Sequence, residues 1–126
     1  MAGLIGVRPI TFVIITDRDR ARRFYGDTLG LPLVSEDDFA QVYDLGGIML
    51  RASPVKDFSP QGHTILGWPV DDIAAKVAEL KARDVPFKTY PGMGQDANDI
   101  WTVPGGSTKV AWFSDPDGNV LSLTQF

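Results

Sequence analysis

Two stretches of this chain, about 54 residues apart, follow one plan, with Asp17 matching Asp71 and Leu31 matching Val85. The first reads ITFVIITDRDRARRFYGDTLGLPLV and the second TILGWPVDDIAAKVAELKARDVPFK. Each opens with a strand-like apolar run. Each then offers an acidic N-cap, Asp17 or the pair Asp71 and Asp72, whose carboxylate can accept from the unpaired N–H groups of a helix start. Each continues with helical spacing: Ala21, Phe24, Tyr25 and Leu29 share one face, and so do Ile73, Val77 and Leu80. The helices end at Gly30 and Asp84, and an apolar-Pro-apolar step follows, Leu31-Pro32-Leu33 or Val85-Pro86-Phe87. After that the pattern turns to short strands, expected over 31–35, 39–45 and 47–52 in the first half and over 86–90, 100–103, 108–114 and 119–125 in the second. Each half therefore reads β-α-β-β-β, and the class is α+β. One helix cannot cover both faces of a four-stranded sheet, so each unit keeps an open face, and two such units can pair around a curved inner surface.

A length of 126 residues suits one domain with a real core. The expected division is a single domain, 1–126, with a first module over 7–53, a linker over 54–62 marked by Pro54, Pro60 and Gly62, and a second module over 63–126. No apolar run approaches the roughly 20 residues of a membrane span, and MAGLIGVRPITF lacks the basic start and long apolar stretch of a leader, so the expectation is a cytoplasmic protein with no membrane partner. The net charge of −4 argues against nucleic acid. The one basic cluster, Arg18, Arg20, Arg22 and Arg23, reads as a solvated helix face. With no cysteine, thiolate chemistry and Cys-ligated metals are excluded, and with one histidine, His63, a single chain cannot build a two-His iron site or a His₃ zinc site.

Taken together, DRDRARRFYGDTLGL, VDDIAAKVAEL and WFSDPDGNVLSL resemble the vicinal oxygen chelate superfamily, which includes glyoxalase I, extradiol dioxygenases, and fosfomycin- and bleomycin-resistance proteins. The likeness covers nearly the whole chain. It implies two βαβββ modules forming a cup-shaped mixed sheet. In metal-dependent members four cup-lining positions, on the first and last strand of each module, hold a divalent ion through His, Gln or Glu. Carried over position by position, these places fall at Ile10, Arg51, Ile65 and Ser122. Two are aliphatic and one carries a fixed positive charge. The expectation is no cofactor and no metal.

A metal-free cup can still bind. Ligand sites are mostly apolar with a few placed polar groups, and the aromatic candidates are Trp68, Trp101, Trp112, Phe39, Tyr43 and Tyr90. Asp115-Pro116-Asp117-Gly118 reads as a type I turn. Counting across it pairs Ala111 and Phe113 with Ser122 and Val120, which puts these residues on the cup face and Trp112 with Leu121 and Leu123 in the core. Trp101 follows the long irregular stretch 89–100 and is the better ligand wall, with Gln95 and Asp96 as ligand-facing loop residues. Arg51, if it faces the cup, needs an anion, supplied by a ligand or by Asp96 or Asp99. A Ser122–His63 pair is conceivable as a nucleophile and base, but His63 reads first as a linker residue. The leading reading is a metal-independent small-molecule-binding protein of the bleomycin-resistance type, a homodimer that sequesters an aromatic or cationic ligand. The alternatives are a glyoxalase-like lyase or isomerase, or a dioxygenase-related enzyme, with an atypical site, and a regulatory domain with no ligand of its own.

Overall fold

A computed structural model describes residues 3–126; residues 1 and 2, which the single-domain reading includes, lie outside the described residues. The chain divides into two compact units between Phe58 and Ser59.

The first unit contains β1 (Ile10–Ile15), α1 (Arg18–Ala21) running directly into a π-helical segment (Arg22–Thr28), β2 (Leu33–Glu36), β3 (Gln41–Asp44) and β4 (Met49–Pro54). The sheet order is β1-β4-β3-β2, with β1 parallel to β4 and the other pairs antiparallel. Asp17 caps the helix by accepting from the Arg20 N–H at 2.9 Å. The Leu29 N–H then reaches back five residues to the Phe24 carbonyl at 2.8 Å. This wider turn brings the consecutive aromatics Phe24 and Tyr25 both into the core, edge to face at 5.1 Å, with Tyr25 also against Tyr43. The helical spacing holds for Ala21, Phe24 and Tyr25, while Leu29 is only half-buried.

The second unit repeats the plan with β5 (Thr64–Pro69), α2 (Ile73–Lys81), β6 (Trp101–Thr102), β7 (Lys109–Ser114) and β8 (Val120–Gln125), in the order β5-β8-β7-β6. Asp72 is the cap, accepting from the Ala75 N–H at 3.1 Å, and Ile73, Val77 and Leu80 are buried beneath α2. Both helices give way to left-handed residues at the expected places, Gly30 (φ 75°) and Asp84 (φ 64°). The strand expected over 86–90 shrinks to a single bridge, Phe87 opposite Phe113. That bridge and β6 occupy one edge of β7 in succession, so the segment between them leaves the edge opposite Trp112 and returns at Trp101. Two four-stranded mixed sheets, each with one covering helix, make the α+β fold. No helix among the described residues is long and apolar enough to cross a membrane.

Candidate functional site

Alternation along the strands separates the two faces of each sheet. In the first unit Val13 and Ile15 of β1, Leu50 and Ala52 of β4, and Gln41 and Tyr43 of β3 are buried. The opposite face carries Ile10 (47% exposed), Phe12 (60% exposed), Met49 and Arg51, with Phe12 and Val42 the direct neighbours of Arg51 across the strands. The half-buried Arg51 guanidinium has no hydrogen bond or ion pair among the described residues. Neither of its expected protein partners is free. Asp96 accepts from the Asn98 and Ile100 N–H groups, and Asp99 holds the Thr89 hydroxyl and the Lys81 ammonium. Asp37 does feel Arg51: its carboxyl is lowered first by the Phe39 and Ala40 N–H groups, and more weakly by the fields of Arg51 and Arg18.

Tyr43 sits on the covered face rather than at a ligand wall. Its hydroxyl donates to Gln41 Oε1 at 2.8 Å, and burial pushes it up to about 12. The strand pattern explains the difference: Tyr43 pairs with Leu50, a core residue, so it must share that face. Phe39 is 76% exposed in the connection between β2 and β3.

In the second unit the register corrects the expected pairing. Trp112 lies opposite Ser122, Ala111 opposite Leu123, and Phe113 opposite Leu121. Trp112 therefore shares the helix-free face with Ser122, while Ala111 and Phe113 are core residues, Phe113 packing against Trp68 and Phe87. The cause is one extra residue in the turn. Asn119 belongs to it: the Asp115 carboxylate accepts from the Asp117 and Asn119 N–H groups and from Asn119 Nδ2, and the Asp115 N–H donates to the Asn119 carbonyl. A one-residue change in loop length moves every following side chain to the other face.

Trp101 pairs with Val110 and stands on the same face as Trp112, 6.1 Å from it between ring centroids. Tyr90 meets Trp112 edge to face at 5.5 Å, and burial raises its hydroxyl. Beside them lies a pocket of about 340 Å³ lined by His63, Thr64, Tyr90, Met93, Trp112 and Val120, together with Gly62. Lys88 Nζ stands 5.9 Å from the Tyr90 ring centroid. Gln95 shapes this wall from behind. It accepts from the Tyr90 N–H at 2.6 Å and donates to the Lys88 and Asp99 carbonyls at 2.9 Å each. With Asp96 closing its own turn, the residues expected to face a ligand here are those that brace the loop.

Ser122 lies over Gly67, its register partner on β5; a Cβ on Gly67 would come within 2.5 Å of Ser122 Oγ. Ile65 is the bulge residue of β5, outside the pairing between Thr64 and Leu66. No hydrogen bond joins Ser122 to His63, which is exposed at the pocket rim. The four places where the resemblance puts a metal thus hold a half-exposed isoleucine, an arginine, a bulged isoleucine and a serine, and this set does not fit a divalent cation. No group of three His, Cys, Asp or Glu residues gathers as a ligand set among the described residues. Sequence reasoning missed the placement of Trp112, Met93 and Lys88. Apart from a turn length, no local signal would have shown it.

Comparison with known proteins gives one consistent picture. The family model for the glyoxalase/bleomycin resistance protein/dioxygenase superfamily matches residues 8–123. Among solved structures, a glyoxalase family protein from Enterococcus faecalis superposes with a TM-score of 0.78 at 17% identity, covering 97% of this chain and 99% of that one. The fosfomycin resistance protein FosX from Listeria monocytogenes gives 0.75 at 11% identity, over 97% and 94%. TnmS3, an antibiotic binding protein from a Streptomyces species, gives 0.65 at 25% identity, over 96% and 98%. A search of curated proteins finds no match.

Proposed function

The chain belongs to the glyoxalase/bleomycin resistance protein/dioxygenase superfamily, and within it we propose a metal-independent protein that binds and sequesters a small aromatic molecule. The observation that carries this reading is the cluster of Trp101, Trp112 and Tyr90 on the helix-free face of the second sheet, beside the 340 Å³ pocket. Aromatic walls with a thioether at one edge, here Met93, suit a planar guest. Each ring pair contributes about 0.5–1.5 kcal/mol beyond area burial. The antibiotic-binding role of TnmS3 supports a binder over a catalyst. The residues at Ile10, Arg51, Ile65 and Ser122 support metal independence by their chemistry. A lyase or isomerase using Ser122 would need a base within reach, and His63 makes no hydrogen bond to it. The working unit in this reading is a cytoplasmic homodimer.

Two titrations of one preparation test it. A neutral planar probe, 2-naphthol, followed by calorimetry, should bind saturably, and Trp112→Ala should weaken it about tenfold. Thermal unfolding in the presence of Ni²⁺, Zn²⁺, Mn²⁺ or Fe²⁺ should show no saturable stabilisation at stoichiometric metal. Stoichiometric stabilisation by any of the four ions would overturn metal independence, and an unchanged Trp112→Ala affinity would overturn the aromatic wall.

A further inference from the structure

The helix-free face of the second sheet carries a cation, Lys88, without a carboxylate partner among the described residues. Lys88 Nζ lies 5.9 Å from the centroid of the Tyr90 ring, while that ring packs edge-on to Trp112. None of the residues lining the adjoining pocket is acidic. The loop acids nearest in sequence are committed elsewhere: Asp96 to backbone N–H groups of its own turn, Asp99 to Thr89 and Lys81. An aromatic face already facing an ammonium group has little left to attract a second cation, and like charges repel. An ammonium beside an aromatic wall, with no acid in the adjoining lining to neutralise it, is a receptor for the charged oxygen of an aromatic guest.

We infer that the ligand is an aromatic anion, a ring system bearing a carboxylate or phenolate, and that Lys88 is the residue that selects its charge. This rests on the aromatic-binding reading above and narrows it, removing the cationic ligand that composition allows.

Three naphthalene probes of matched shape test it by calorimetry on the intact protein: 2-naphthoate, 2-naphthalenemethanol and 2-naphthylmethylammonium. The expected result is naphthoate binding about tenfold or more tighter than the ammonium compound, the size of a charge-assisted hydrogen bond. The preference should shrink with added salt. Lys88→Gln should bind all three alike, whereas Lys88→Arg, which keeps the charge, should retain the order. Equal or tighter binding of the ammonium probe by the unmodified protein would overturn the inference and leave the aromatic reading standing. So would a preference that survives Lys88→Gln, or one lost in the charge-keeping variant. Failure of all three probes to bind would overturn both.

Discussion

Gly67 shows how one position can be decided by its neighbour across the sheet. Its φ is ordinary, so the backbone does not require glycine there. What requires it is Ser122: a methyl group at 67 would meet Ser122 Oγ at 2.5 Å and the Ser122 carbonyl oxygen at 3.3 Å. Gly67→Ala should therefore destabilise the protein by about 1–3 kcal/mol, the usual cost of overpacking, read from urea unfolding. Shortening the serine should relieve part of it, so Gly67→Ala will cost less in a Ser122→Ala background. Additive effects would mean that the strain lies elsewhere. In the sequence, Gly67 is only a glycine inside an apolar run, and nothing local marks it as the space into which Ser122 leans.

Between elements, the arginines of the first helix have a structural task. Arg18 and Arg22, one turn apart, both reach Glu36 at the end of β2, each at 2.7 Å, and Arg22 also pairs with Asp19 at 2.8 Å. Gln41, fully buried, donates to the Arg18 carbonyl and to Glu36, which ties the helix to β2 and β3. Hydrogen bonds from Arg22, and then from Arg18, hold the Glu36 carboxyl at about 2, against an ordinary value of 4.5. A carboxyl depressed in the folded state contributes stability above its unfolded value and loses it as pH falls through the folded one. Stability should thus drop between about pH 4.5 and pH 2. In Glu36→Gln that part of the slope should be missing when unfolding free energy is measured across the window; identical slopes would exclude this clamp as the source. The cluster read from the sequence as a solvated helix face is correct for Arg23, which is exposed, but spacing along a helix does not reveal an acceptor on a strand.

At the scale of the molecule, the two units repeat one topology, β1-β4-β3-β2 and β5-β8-β7-β6, which is the outcome of the 54-residue repeat. Each helix covers one face of its sheet only. The other face of the first sheet leaves Ile10 and Phe12 in contact with solvent, and Val34, at a bulge of β2, is exposed as well. Exposed apolar side chains on a sheet face suit a partner surface, and in the proposed reading a second copy of the chain covers Ile10 and Phe12. Sedimentation should then give a species of twice 13.8 kDa, shifted toward monomer by Phe12→Asp; a single 13.8 kDa species in the unmodified protein would exclude the homodimer.

The division between what the sequence determined and what the structure decided follows the range of the forces involved. Helix positions, their caps at Asp17 and Asp72, their ends at Gly30 and Asp84, and the β-α-β-β-β order were legible because periodicity, capping and left-handed termini act within a few residues. The lack of metal-ligating side chains at Ile10, Arg51, Ile65 and Ser122 was legible too, since side-chain chemistry needs no fold. The face on which Trp112 stands was not. It depends on whether Asn119 belongs to the turn or to the strand, and the Asp115–Asn119 bonds that settle this form only when the hairpin closes. The roles of Gln95 and Asp96 were hidden for the same reason. Their partners are backbone groups of a loop whose path is fixed by where its two ends meet β7. The sequence specified the parts and their chemistry; the pairing register, which turns on a single residue, decided which of those parts stand on the helix-free face.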